Sequence, residues 1–134
     1  MRFMMIVKAD KDSEAGKLPD EKMLGDMAKF NEEMAKSGVM LAAEGLQASS
    51  KGARVRFSGG KPTVTDGPFT EAKELIAGFW LIQVKSKDEA VAWARRVPFV
   101  DGEVEIRQVF ELEDFGSSEA IDRHAQLRDQ MEKK

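Results

Sequence analysis

The stretch that decides the fold is IAGFWLIQV, residues 76–84, in which Gln83 is the only polar side chain. A run of this length that is rich in aromatic and branched apolar residues predicts a buried central strand. Directly after it, Ser86 and Glu89 have the spacing of a capping box, which predicts the start of a helix. That helix carries one apolar face and is expected to end before Pro98.

Two β-α-β units are predicted, one on each side of a hairpin. The hairpin is indicated by the alternating residues 53–57 and 61–65 around a Gly-Gly turn. The order predicts a ferredoxin-like β-α-β-β-α-β sandwich of the α+β class, with the hairpin inserted and two helices on one face of an antiparallel sheet. The first unit is predicted over residues 2–9, 20–36 and 39–46, and the second over 76–84, 86–97 and 103–112.

The end of the chain is predicted to be an appendage to this domain. Residues 117–134 have a helical pattern with few apolar anchors. We therefore predict one α+β domain over residues 1–114 and a C-terminal helical extension over 115–134. The extension holds the single histidine, His124, which is expected to be a solvated surface residue because no second ligand or base accompanies it.

Bulk composition excludes several classes of protein. With a net charge of −3 and no concentrated basic patch, the chain is not expected to bind nucleic acid. No apolar run approaches the roughly 20 residues of a membrane-spanning helix, and the N-terminal stretch predicts a strand, not a signal peptide. The absence of cysteine excludes disulfides and thiolate metal sites, which favours a cytoplasmic location.

The two strands predicted at the centre of the sheet are apolar on both faces. The first divides into Phe3, Met5 and Val7 against Met4 and Ile6, and the other into Phe79, Leu81 and Val84 against Trp80 and Ile82. The edge strands carry the charges, namely Glu44, Glu103, Glu105 and Arg107. A contiguous apolar patch on an uncovered sheet face is typical of an interface, so we predict a homodimer with two sheets packed face to face. The alternative is that the C-terminal helix folds back over this face.

The segment DGPFTEAKE, residues 66–74, lies directly before the central strand and carries five ionisable or hydroxyl side chains. Asp66 is interpreted either as a turn-forming backbone acceptor or as a general base at the mouth of a pocket. Phe69 is a candidate substrate contact or a core residue. Lys73 and Glu74 are either substrate-binding or part of a solvated loop edge, and Lys73 together with Arg107 could hold the carboxylate of a small organic anion.

This segment resembles the signature of the DGPF-motif branch of the YCII-related proteins. Supporting matches are AAEGL at 42–46, IAGFW at 76–80, DEA at 88–90 and EVEIR at 103–107. The resemblance covers about residues 1–114 and implies a dimeric α+β barrel. It also implies a histidine–aspartate pair that performs acid/base chemistry on small cyclic substrates. This chain departs from that pattern, because its only histidine, His124, lies beyond the matched region.

No phosphate-binding glycine loop, nucleophilic serine motif or nucleotide cofactor fingerprint is present, and no metal or cofactor is expected. Two functions stay open. The first is a small cofactor-independent enzyme in which Asp66 moves a proton on a small organic anion. The second is a module that binds small molecules or proteins without catalysis.

Overall fold

The computed structural model describes residues 1–71 and 74–133 of the chain. The strands are β1 (Arg2–Lys8), β2 (Met40–Gly45), β3 (Ala53–Ser58), β4 (Lys61–Asp66), β5 (Ile76–Gln83) and β6 (Val104–Gln108). The helices are α1 (Lys11–Glu14), α2 (Glu21–Lys36), α3 (Lys87–Ala94) and α4 (Glu119–Glu132). Short 3₁₀ turns occupy Ser49–Lys51 and Leu112–Phe115.

Four strands form one antiparallel sheet in the order β2-β5-β1-β6. β3 and β4 pair only with each other, in a separate two-stranded hairpin. This is the predicted ferredoxin-like α+β arrangement with an inserted hairpin and a C-terminal helix. The predicted hairpin turn is confirmed as well, because Gly59 and Gly60 both have positive φ angles of 58° and 81°, as a two-residue turn between twisted strands requires.

Local signals explain where α2 and α3, the two helices of the core, begin. The carboxylate of Asp20 accepts a hydrogen bond from the amide of Met23 at 2.8 Å, and the hydroxyl of Ser86 accepts one from the amide of Glu89 at 3.2 Å. Each side chain satisfies one of the backbone donors left unpaired at a helix start. Glu89 in turn accepts from the amide of Lys85, one residue before the position that a capping box predicts.

The core lies between one face of the sheet and helices α2 and α3. Trp80 is at its centre, with its indole nitrogen donating to the side-chain oxygen of Asn31 at 2.8 Å and its ring edge-on to Phe30. The indole is therefore buried with its one polar atom satisfied. The buried residues are Phe3, Met5, Phe30, Met34, Val39, Trp80, Ile82, Val84, Ala90 and Val97.

Three expectations need correction. Val84 belongs to the same face as Trp80 and Ile82, because the strict two-residue alternation of β5 continues past the end of the strand. The last strand ends at Gln108, and a 3₁₀ turn follows where a strand to residue 112 was expected. Helix α1 was not predicted, although Asp10 and Ser13 form a reciprocal cap at its start.

The other face of the sheet has an apolar centre. Met4 and Ile6 of β1 lie opposite Leu81 and Phe79 of β5, and all four side chains are half-buried. Glu44 flanks this centre on β2, and Glu105 and Arg107 flank it on β6. Helix α4 packs against the 3₁₀ turn Leu112–Phe115, and its residues Leu127 and Met131 line a cavity together with Arg2, which lies on the same face of β1 as Met4. We call this four-residue centre the open-face patch.

Candidate functional site

The loop that follows β4 is pinned against the 3₁₀ turn Ser49–Lys51. The amide of Gly67 donates to the carbonyl of Gly52 at 3.0 Å. A Cβ atom on Gly67 would lie 1.8 Å from the carbonyl oxygen of Ser49, so only glycine allows this approach. The Gly67–Pro68 peptide bond is cis. The glycine of the Asp-Gly-Pro turn is thus explained by close backbone packing.

A chain of three hydrogen bonds extends this contact to the first helix. The hydroxyl of Ser49 donates to a carboxylate oxygen of Glu14 at 2.6 Å and accepts a bond from the amide of Phe69 at 3.1 Å. The amide of Ser49 also points at the Glu14 carboxylate, at 3.2 Å. Bonds to an ionised acceptor are shorter and stronger than neutral ones. Glu14 therefore fixes the turn, and the turn fixes the loop.

Arg54 contacts the anchored loop through the ring of Phe69. Its guanidinium carbon is 3.8 Å from the centre of the Phe69 ring, which is a close cation–π contact. Phe69 is half-buried, while Arg54 is exposed. The hydrogen-bonded loop positions the Phe69 ring against the guanidinium, which stays exposed to solvent and so is accessible to a ligand. We call these two residues the Arg54–Phe69 pair.

The predicted candidate Asp66 points away from the Arg54–Phe69 pair. Asp66, at the end of β4, lies opposite Ala53 in the hairpin, whereas Arg54 lies opposite Thr65. Since successive side chains alternate between faces, Asp66 and Arg54 point to opposite sides of the hairpin. Within the described part of the chain the Asp66 carboxylate has no hydrogen-bond partner.

The other predicted site residues lie on different elements of the chain. Glu74 is exposed, and its amide donates to the carbonyl of Glu71. Lys73 falls outside the described residues, so its predicted role with Arg107 stays a prediction. Arg107 is on β6, exposed, with its guanidinium 3.4 Å from Glu105. The roles predicted for Asp66, Glu74 and Arg107 also stay predictions.

Two carboxylates have clearly altered acidity. Hydrogen bonds from Lys8 and Arg107 lower the pKa of Glu105 below its ordinary value. Hydrogen bonds from Arg2 lower the pKa of Glu111, and the same contact raises the pKa of Arg2. Both changes favour the ionised forms. A general acid at neutral pH needs a raised pKa, whereas the pKa values of Glu105 and Glu111 are lowered. Both residues are therefore assigned to ion pairs.

Sequence reasoning missed Glu14, Ser49 and Arg54. Ser49 contacts Glu14 across 35 positions, and Phe69 contacts Ser49 across 20 positions and Arg54 across 15, so no local spacing marks these contacts. The alternation of residues 53–57 did place Arg54 on the polar face of a strand, but not above Phe69. No group of three or more potential metal ligands is found among residues 1–71 and 74–133. In that same part of the chain, no helix is long and apolar enough to cross a membrane.

Comparisons with known proteins give a family and a distant structural likeness. An uncharacterised protein of Rhizobium meliloti (strain 1021) is 35% identical over 76 residues, which are 57% of this chain and 61% of that protein. The match thus spans less than two thirds of the relative's length. A solved structure, 5-chloro-2-hydroxyhydroquinone dehydrochlorinase (TftG) from Burkholderia phenoliruptrix AC1100 with 2,5-dihydroxybenzoquinone, is similar at 12% identity and a TM-score of 0.41, over 83% of this chain and 95% of that one.

The sequence profile of the YCII-related domain matches residues 1–113, which is most of the chain and includes every strand of the sheet and the hairpin. The motifs at residues 42–46, 66–74 and 103–107 all lie inside this match. The chain therefore belongs to the YCII-related domain family.

Proposed function

We propose that this protein binds a small organic anion through Arg54. The observation that carries the proposal is the 3.8 Å stack of the Arg54 guanidinium on Phe69, on a loop pinned by Ser49 and Glu14. An arginine that already stacks on an aromatic ring loses less side-chain entropy when it pairs with a carboxylate, and its planar fork suits bidentate contacts. We propose binding rather than catalysis, because the predicted base Asp66 lies on the opposite face of the hairpin from Arg54.

The test compares Arg54 with Arg56, which is on the same strand and the same face of the hairpin. Benzoate serves as the probe anion and benzamide as its uncharged counterpart, with binding followed by chemical shifts in two-dimensional NMR. We expect benzoate, but not benzamide, to shift the amide signals of residues 49–54 and of Gly67, Phe69 and Thr70. Arg54→Gln should abolish these shifts and Arg56→Gln should preserve them, because Arg56 has no aromatic ring beneath it.

If both variants lost the benzoate-induced shifts equally, the binding would depend only on the positive charge of the hairpin. That result would contradict a specific site at Arg54. Retention of the shifts in Arg54→Gln would overturn the proposal outright. Arg54→Lys adds a further distinction, since lysine keeps the charge and loses the planar fork. We expect it to bind benzoate several-fold more weakly than the native chain.

Acid/base catalysis by Asp66 is the stronger form of the same hypothesis, and it has less support. The Asp66 side chain is exposed and on the opposite face of the hairpin from Arg54. A general base needs to be within hydrogen-bond reach of the proton that it removes, about 3 Å. An anion held by Arg54 of the same chain would be separated from Asp66 by the hairpin itself, so we favour binding without catalysis.

We further propose that two copies associate through the open-face patch. Four half-buried apolar side chains, Met4, Ile6, Phe79 and Leu81, lie at the middle of the sheet with charged residues around them. An apolar centre with a polar rim is the usual anatomy of a protein interface. Sheet-to-sheet packing across a two-fold axis would bury both patches at once.

Leu81→Glu tests this association, with Leu24→Glu on the outer side of α2 as the matched control. Leu24 is 57% exposed, so a charge there should be tolerated. Light scattering after size exclusion should give a dimer for the native chain and Leu24→Glu, and a monomer for Leu81→Glu with unchanged circular dichroism. A native monomer at all concentrations would end the proposal.

A further inference from the structure

The hairpin β3–β4 has one polar and one apolar face. Directly opposite pairs place Arg54 with Thr65 and Arg56 with Thr63 on one face, and Val55 with Val64 and Phe57 with Pro62 on the other. Every residue of both strands is exposed, and Phe57 keeps 71% of its surface accessible. No element of the described chain therefore covers the apolar face, which we call the hairpin face.

An uncovered hairpin face of this kind needs a partner. A two-stranded hairpin alone is marginally stable in water, and stability comes from packing an apolar face against another element. Leaving the phenylalanine and two valines in water forgoes the burial that would otherwise stabilise the hairpin. The binding of an anion by Arg54 does not change this, because Arg54 belongs to the polar face.

A second exposed apolar surface has the matching chemistry. Phe110 and Phe115 are 68% and 58% exposed, and their ring centres are 4.9 Å apart. Residues 110–119 around them include four acidic and no basic side chains. Residues 51–66 around the hairpin face carry four basic side chains and one acidic side chain, Asp66, which lies at the end of the hairpin face opposite Ala53, so that their net charge is +3. We call the two phenylalanines, with Glu113 and Asp114 between them, the Phe110–Phe115 platform.

We propose that the hairpin face of one copy docks on the Phe110–Phe115 platform of a second copy of this chain. The two surfaces have apolar centres and opposite net charges around them. They do not contact each other within one chain, because every residue of β3 and β4 is exposed. Long basic side chains such as Arg56 and Lys61 can reach around the narrow ribbon to the acidic rim. A two-fold axis would form this contact twice per dimer.

This proposal depends on the dimer proposed above only because it requires two copies of the chain to associate. The absence of cysteine from the chain allows a direct test by cross-linking. Val64→Cys marks the hairpin face, Thr63→Cys marks the opposite face, and Glu113→Cys marks the platform. Equal mixtures of Val64→Cys with Glu113→Cys, and of Thr63→Cys with Glu113→Cys, are treated with a short bis-maleimide linker at low protein concentration.

We expect the Val64 mixture to give several-fold more covalent heterodimer than the Thr63 mixture. Equal yields, or none from a protein that is dimeric by light scattering, would overturn the hairpin contact while leaving the open-face dimer in place. A native chain that is monomeric by light scattering would contradict both the hairpin contact and the open-face dimer. Phe57→Ser should also weaken association by roughly ten- to a hundredfold, whereas Val100→Ser, at a residue 93% exposed elsewhere, should leave it unchanged.

Discussion

The central sheet and the hairpin are both built from alternating strands, yet they differ in what covers them. Trp80, in the middle of β5, keeps 3% of its surface exposed, while Phe57 in β3 keeps 71%. Both are aromatic residues on the apolar face of a strand. The difference lies in the helices, because α2 and α3 cover one face of the sheet, whereas every residue of the hairpin strands is exposed and no helix of the described chain covers them. Alternation selects a face, and a second layer is needed to turn that face into a core.

The largest expected effect on stability comes from truncating Trp80, the buried one of these two aromatic residues. Trp80→Ala should lower the free energy of unfolding by about 3 to 5 kcal/mol, because it leaves a cavity beside Phe30 and an unpaired Asn31. Phe57→Ala, measured by urea unfolding at a concentration where the chain is monomeric, should change it by less than about 0.5 kcal/mol. Similar losses for the two variants would show that the hairpin face is covered within one chain.

An intermediate effect is expected where the hairpin joins the rest of the molecule. Gly67→Ala would force its new methyl group into the backbone of Ser49 and should cost about 1 to 3 kcal/mol. Gly25→Ala is the control, since that glycine is within α2 and has open space around its Cβ position. It should stabilise the chain by about 0.5 to 1 kcal/mol. Thermal unfolding of both variants distinguishes the two outcomes, and a neutral Gly67→Ala would contradict the pinned loop.

The smallest effect is expected at the rim of the sheet, between core and solvent. Arg2 donates two hydrogen bonds to Glu111, at 2.9 and 3.1 Å, and this lowers the pKa of Glu111 from its ordinary value of 4.5. A lowered pKa in the folded state stabilises the fold above the ordinary value, and the contribution disappears as the pH falls through the lowered pKa. Glu111→Gln should therefore cost less than about 1 kcal/mol at neutral pH and nothing in strong acid.

Urea midpoints over a pH series, with Glu32→Gln on the exposed side of α2 as control, measure this contribution. The gap between the native chain and Glu111→Gln should close as the pH falls. A gap that is independent of pH would assign the effect of the substitution to packing rather than to charge.

Much of the fold follows from local sequence. The apolar run at residues 76–84, the capping-box spacing at Ser86 and the Gly59–Gly60 turn each predict an element that the structure contains. These signals work because hydrogen-bond caps, positive φ angles and alternating apolar residues act within a few positions of one another. The order of the elements then leaves few ways to build an antiparallel sheet.

The candidate site could not be predicted in the same way. The bond from Ser49 to Glu14 joins residues 35 positions apart, and that from Phe69 to Ser49 joins residues 20 apart. Neither depends on a repeat or a local pattern. The sequence did identify residues 66–74 as chemically rich, but the direction in which Asp66 and Arg54 point depends on the register of the hairpin, with Ala53 opposite Asp66.

Each strand of the hairpin also has a free edge, since β3 and β4 pair only with each other. Free edges invite strand addition and aggregation, above all beside apolar side chains. Ser58 and Lys61 close the two-residue turn, so the next pair, Phe57 and Pro62, is one whose backbone nitrogens face outward. Pro62 thus removes a donor from the outer edge of β4. The hairpin can present an apolar face to a chosen partner while its own backbone resists fibril-like growth.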